Sequence, residues 1–301
     1  MSWAPRVPIL LLAVLLGASV GALAHAPPAK IEKHFMPLPP TTRALALTSA
    51  SNDMVWHGGE VQQTPRVFVT FWGWGAGADP NGEAAYLTRY FSGVGGSSWA
   101  NIQTQYHGRI PGLPLASGDA PITNPGAQLA GVWYDNSQTT VPLDPDNNMD
   151  EEVLASVAHF GYDPQANYVI ATPHGHNTAG FGSQFCAWHS VISEAGVMVP
   201  FTNLPYMTDA YCGANFVNPG PAGILDGVSI VAGHEYAETV TDPRPISGWT
   251  DASGGAGETG DKCAWVSSGP GRLQNVALST GTFAVQGMWS NAAHGCVVSY
   301  P

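Results

Sequence analysis

Charge is what this sequence has least of. Only 11% of its 301 residues are charged, and 10 Lys and Arg stand against 22 Asp and Glu, for a formal net charge of −12. No basic stripe exists anywhere in the chain, so nucleic acid is a poor partner for it. Long apolar runs are also missing. Beyond the first residues, no stretch is long enough to span a bilayer. Cysteine is scarce, with four in all (Cys186, Cys212, Cys263 and Cys296) and none in C-x-x-C spacing, which argues against thiolate metal ligation. There is no internal repeat, and no G-x-S-x-G elbow of the kind that carries a hydrolase serine.

What is present begins with a secretory signal. Arg6 precedes the apolar run "VPILLLAVLLGASVGALA", and Ala22-Leu23-Ala24 forms an A-x-A cleavage site, so residues 1–24 read as a signal peptide cleaved before His25. Its removal takes away one positive charge and no acidic one, moving the net charge from −12 to −13. In the oxidising compartment this implies, four cysteines predict two disulfides. Cys186–Cys212 and Cys263–Cys296 are the expected pairs, because each closes a local loop. Residues 25–53, rich in Pro, Ala and Thr, predict an extended or disordered leader. Residues 54–301 predict a single domain, and the apolar fraction of 44% is enough to build its core.

Within that domain "RVFVTFWGWG" reads as the first clear strand. "GEAAYLTRYFSGV" and "SSWANIQTQYHG" predict helices, "AGVWYD" a short strand, and "NNMDEEVLASVAHFG" a helix with acidic residues at its start and Gly161 at its stop. "NYVIATP", "FCAWHSVI" and "VMVPFTNLPY" predict strands. Glycine-rich loops follow, with strands in "NVALSTGTFAVQGMW" and "GCVVSY". Strands and helices alternate early and strands dominate late, which predicts an α/β (α+β mixed sheet) domain with a glycine-rich C-terminal β portion.

The most informative stretch is "LDGVSIVAGHEYAETVTDP", Leu225 to Pro243. It predicts a helix with Asp226 as N-cap and Pro243 as its stop. His234 and Glu238 are four residues apart, so they share one helix face and can bind one metal. Glu235 points about 100° away, where a general base must sit to take a proton from an attacking water. The motif is H-E-x-x-E rather than H-E-x-x-H. A His and two Glu on an exposed helix face need no function. Gly233 argues otherwise: it costs roughly 1 kcal/mol of helix propensity and marks close packing or access. The residues downstream are dense in carboxylates. Glu258 lies twenty residues after Glu238, and Asp242 and Asp261 are further candidates for the third ligand. Such a ligand set is harder than two histidines and a glutamate. Zinc is the leading cofactor, with Ca²⁺ or Mn²⁺ in competition.

A second group of histidines lies in "TPHGHNTAGFGSQFCAWHS". His174 and His176 follow a strand end, where loops carry sites. His174 or His189 would serve as an oxyanion stabiliser in a metal-dependent mechanism. A Ser–His hydrolase, with His189 beside Ser190 and Asp226 or Asp242 as orienter, is the weakest reading.

Three stretches carry a family resemblance: "WHGGEVQQTPRVFVTFWGWG", "LDGVSIVAGHEYAETVTDPRPISGW" and "VQGMWSNAAHGCVVSY". In this order they resemble the exordium, or phosphate-induced protein 1, family. The resemblance implies a secreted, apoplastic protein tied to growth and cell expansion. The order of strands, an edge strand near "FCAWHSVI" and then the metal helix also resembles a zincin at the level of fold. Two main expectations follow. One is a secreted zincin-like metallopeptidase or other hydrolase, with His234, Glu238 and one of Asp242, Glu258 or Asp261 on the metal and Glu235 as base. The other is a non-catalytic, exordium-like extracellular protein with a structural or vestigial metal site. Either is expected to be a monomer that meets an extracellular protein or cell-wall polymer, without membrane attachment after signal cleavage.

Overall fold

The strand-like runs of the sequence gather into one mixed sheet. Its strands are β1 (His34–Pro37), β2 (Arg66–Trp72), β3 (Leu129–Asp135), β4 (Ala166–Ala171), β5 (Phe185–Glu194) and β6 (Val197–Leu204). The helices are α1 (Glu83–Val94), α2 (Met149–Phe160) and α3 (Asp226–Thr241). The computed structural model describes residues 33–40, 52–111, 118–137, 141–142, 145–194, 197–251 and 257–301. The signal peptide expected over residues 1–24 lies outside them.

The spatial order is β1-β5-β6-β4-β2-β3. β3, β2, β4 and β6 run parallel, whereas β5 is antiparallel to β6 and β1 is antiparallel to β5. Parallel neighbours need crossovers, and α1 and α2 lie in the chain between β2, β3 and β4 to supply them. The β5–β6 pair is instead a hairpin. A strand covered on both faces is largely apolar, and β2 shows it, its one buried polar residue, Thr70, being hydrogen-bonded to Ser156. Val67, Val69 and Phe71 join α1 and α3 in one core, while Phe68 and Trp72 join Met149 and Val153 of α2 in another.

Residues 31–301 form one compact unit. Part of the expected leader belongs to this unit. His34–Pro37, inside the segment expected to be extended or disordered, is the edge strand β1, with His34 opposite His189. A correction concerns "SSWANIQTQYHG", which contains a 3₁₀ turn over Ala100–Gln105 rather than an α-helix. The glycine-rich C-terminal part is β structure as expected, with the hairpins Gln274–Leu278/Gly281–Val285 and Met288–Ser290/Gly295–Val297. The strand Trp249–Asp251 pairs with Met54–Trp56.

All sixteen residues of α3 are buried. Its apolar residues do not form one stripe; Val228, Ile230, Val231, Ala232, Tyr236, Ala237 and Val240 surround the axis. A helix that is apolar all round belongs inside a protein. Gly233 lets it fit, because a Cβ there would lie 2.6 Å from the Tyr90 hydroxyl and 3.1 Å from the Trp99 ring. Asp226 does not cap the helix. Its carboxylate accepts the Val217 and Asn218 backbone N–H groups and the Asn218 side-chain amide, pinning the preceding loop. The expected disulfides Cys186–Cys212 and Cys263–Cys296 are both present. Among the described residues, no helix is long and apolar enough to cross a membrane.

Candidate metal centre

Burying α3 on every side leaves its polar residues no water to face. His234, Glu235 and Glu238 are each 0% exposed. Such groups are tolerated only with partners or with a cation. The partners come from three other elements. β5 contributes His189, which lies inside the sheet on the face toward α3, next to Ala187 of the same core. β1 contributes His34, whose ring centroid is 5.3 Å from that of His189. The loop after Trp249–Asp251 contributes Glu258 and Asp261. Both disulfides bear on this arrangement: Cys186 lies in β5 three residues before His189, and Cys263 lies two residues after Asp261.

Glu238 is the hub. Its Oε1 lies 3.1 Å from His234 Nε2, and its Oε2 lies 3.6 Å from His189 Nδ1. Three overlapping sets of donor atoms are close enough to hold a cation: His234–Glu238–Asp261, His189–Glu235–Glu238 and His34–Glu238–Glu258. Among the described residues, several of the buried atoms have no hydrogen-bond partner: His189 Nε2, both His234 nitrogens, Glu235 Oε1, Glu238 Oε2 and both Glu258 oxygens. So many orphaned donors and acceptors in one place would be costly in a metal-free interior. They are the ligand types a divalent cation takes. The residues therefore fit a metal.

Electrostatics agree with this reading. Burial, reinforced by neighbouring carboxylates, pushes Glu235 and Glu258 well above the usual carboxylate range. Burial alone would lower the His34 imidazole. The Asp261 hydrogen bond and the Glu238 charge outweigh it and raise His34 to about 9. His234 is also raised, burial being overcome by Glu238 and Asp261. His189 goes the other way, lowered by burial and by the charges of His34 and His234. A cluster with more carboxylates than it can keep ionised alone is one that a cation would settle.

The sequence-predicted residues divide clearly. His234, Glu238, Glu258, Asp261, Glu235 and His189 come together. Asp242 does not join a ligand set among the described residues. Its Oδ1 accepts the Gly248 N–H at 2.7 Å and the Ser247 N–H at 3.1 Å, which fixes the turn that follows α3. His174 is elsewhere: its side chain is 53% exposed and pairs with Asp209. The role expected for His189 depends on Glu235. It sits 3.2 Å from Glu235 Oε2 through Nδ1. When Glu235 is ionised, Nδ1 is the donor and Nε2 keeps a lone pair able to ligate; when Glu235 is protonated, as its burial favours, Nδ1 accepts and Nε2 carries the hydrogen.

Two positions at this cluster were not found from the sequence. His34 lies in the segment taken for a leader, and only its pairing with β5 brings it to the site. No local sign marked it: the alternation of buried His34 and Met36 with Phe35, 43% exposed, is visible only in the fold, since Phe and Met are both apolar. Gly260 is the other. A Cβ there would lie 2.8 Å from both Glu238 Oε1 and His234 Nδ1. Compared with known protein families, curated proteins and solved structures, the chain matches none.

Proposed function

We propose that this chain is a secreted, zincin-like metallopeptidase, with its metal held by His234, Glu238 and Asp261. The observation that carries the reading is the cluster of buried, unpartnered imidazole and carboxylate atoms around one H-E-x-x-E helix. The mixed α/β sheet is compatible with it, although β5, expected as the edge strand of a zincin-like order, lies between β1 and β6. The two disulfides are consistent with secretion.

Bound at His234, Glu238 and Asp261, a divalent metal, zinc first and Mn²⁺ or Ca²⁺ next, would supply Lewis acidity toward a scissile carbonyl. The chain's own residues do the rest. Glu235 Oε1, without a partner among the described residues, accepts the proton of the attacking water. His189 Nδ1 holds the other oxygen, Oε2, and so fixes the carboxylate's orientation. Gly260 keeps the space against His234 and Glu238 clear.

One observation favours the second reading, an exordium-like extracellular protein with a structural metal. The site is closed: His234, Glu238 and Glu258 are fully buried, and β1 covers the β5 edge. Only His34 and Asp261 border solvent, with side chains 8% and 18% exposed. The two readings separate on one preparation of secreted protein. Metal analysis of the wild type and His234→Ala is followed by casein or gelatin hydrolysis with Glu235→Ala as control. The peptidase predicts bound metal, lost in His234→Ala, and hydrolysis that falls about 10²-fold or more in Glu235→Ala. Metal with hydrolysis unchanged in Glu235→Ala, or no hydrolysis at all, leaves the structural reading. Protein without metal, unchanged by chelation, removes both.

A further inference from the structure

Two carboxylates in the cluster divide their oxygens between two histidines. His234 Nε2 lies 3.1 Å from Oε1 of Glu238 and 3.5 Å from Oδ1 of Asp261. The other oxygens of the same two residues face His34: its Nε2 lies 3.9 Å from Oε2 of Glu238 and 2.6 Å from Oδ2 of Asp261. A carboxylate that presents one oxygen to each of two imidazoles is arranged as a bridge. From this geometry we infer that the centre holds two divalent cations, one at His234 and one at His34, bridged by Glu238 and Asp261. The inference rests on the metal-site part of the proposed function and adds a second ion and a ligand, His34, to it.

Three further observations support the second position. Glu238 Oε2, which lies between His34 Nε2 at 3.9 Å and His189 Nδ1 at 3.6 Å, is buried and has no hydrogen-bond partner among the described residues. Glu258 stands on the far side of the His34 ring, its Oε1 3.4 Å from Nδ1, where it would hold the ring's orientation as the outer partner of a ligating histidine does. The charge balance points the same way. Glu235, Glu238, Glu258 and Asp261 present four carboxylates to this small volume. A second cation would relieve more of this crowding of buried carboxylates than one could. The ligands are mostly hard oxygens with one imidazole for each ion, which suits zinc or manganese. Carboxylate-bridged pairs of this kind sit about 3.5–4 Å apart and grip both oxygens of a displacement.

Stoichiometry and spin coupling test it. Full-length secreted protein is stripped with chelator, reloaded with Zn²⁺ or Mn²⁺, freed of excess metal, and measured by elemental analysis against protein concentration. Two equivalents are expected in the wild type. One is expected in His34→Gln, which keeps a side chain able to hydrogen-bond in β1. The Mn²⁺-loaded wild type should give the electron paramagnetic resonance signature of an exchange-coupled pair, and His34→Gln the six-line signal of an isolated ion. The wild-type measurements decide even if the variant fails to fold. One equivalent with an isolated-ion spectrum in the wild type overturns the two-metal centre and leaves the single-metal reading standing. Two equivalents retained in His34→Gln overturn the role of His34. No bound metal overturns both readings, whereas two coupled ions in a protein that hydrolyses nothing support this inference and remove only the peptidase.

Discussion

Gly260→Ala should damage the proposed metal centre more than it damages the fold. Gly260 has φ −78° and ψ −45°, an ordinary right-handed conformation that alanine adopts without strain. In the chain's unfolded state, alanine is worth about 0.4–1 kcal/mol in favour of folding. The cost therefore lies in contacts. The new methyl group would stand 2.8 Å from Glu238 Oε1, 2.8 Å from His234 Nδ1 and 3.0 Å from His234 Cε1. Ordinary van der Waals contact begins near 3.4 Å, so two ligands, or the loop that carries Asp261, must give about 0.6 Å. Metal–ligand distances tolerate only about ±0.2 Å. Displacing supports around a metal site typically costs about 10–100-fold in affinity. At fixed free metal well above Kd, that loss converts to about 1.4–2.7 kcal/mol of stability in the loaded protein. For a chain of this size it is on the order of 5 °C in Tm. The assay is a chelator competition for affinity, with thermal melts of stripped and loaded protein. The expected pattern is a Tm lowered by the clash in stripped protein and lowered further, by the lost affinity, in loaded protein. Wild-type affinity in Gly260→Ala would mean that His234 and Glu238 do not hold the ion.

The other predictions are simpler. The stripped protein should lose stability as pH rises from about 4.5 to about 8. Burial raises Glu83 to about 7, Asp242 to about 7 and Glu152 to about 8, the last helped by Asp135. The folded chain then keeps protons that the unfolded chain releases at its lower carboxylate values, so each step up in pH favours unfolding until the folded groups also ionise. Denaturant midpoints at pH 5 and pH 8 check this, and a higher midpoint at pH 8 in chelated protein refutes it. Glu152→Gln, which removes one of these protons, should flatten the slope. Breaking Cys263–Cys296 by a double Cys→Ala change should cost about 2–4 kcal/mol from the 33-residue loop it closes. It should also weaken metal binding, because it frees the chain beside Asp261; a loss of stability with metal affinity intact would separate the disulfide from the site. His174→Ala should leave metal content and chelator affinity unchanged, since its partner is Asp209.

How much of this was legible in the sequence follows from how far apart the cooperating residues lie. The helix and its His234–Glu238 face depend on a four-residue spacing, and local spacing is written directly in a chain. Glu258 and Asp261 were legible as candidates because carboxylates cluster there. Choosing among them and Asp242 was not, because the choice turns on a backbone detail. Asp242 is nearest in sequence to the helix, but Ser247 and Gly248 return their N–H groups to it, and a carboxylate closing a turn is committed there. Asp261 is farther along but folds back until its own N–H meets Glu238 Oε1 at 3.0 Å. The sheet core was legible in the long apolar runs. Its edge was not, because a four-residue strand in a Pro-rich setting carries almost no periodic signal.

His34 shows what such an edge can conceal. It is 155 residues from His189 and more than 200 from Asp261, yet the antiparallel register sets it opposite the first, and the hydrogen bond at 2.6 Å ties it to the second. Register is exacting, since a slip of one residue sends every side chain to the opposite face. In the observed register His34 and Met36 face α3, while Phe35 faces outward and stacks near Phe185. A one-residue slip would put Phe35 among the carboxylates and leave His34 in solvent. The pairing of His34 with Asp261 and Glu258 therefore selects the register of β1 as much as the register positions His34. Metal added to that corner would strengthen both. Protection of the β1 and β5 amides from hydrogen exchange should then rise on metal loading, and rise less in His34→Gln.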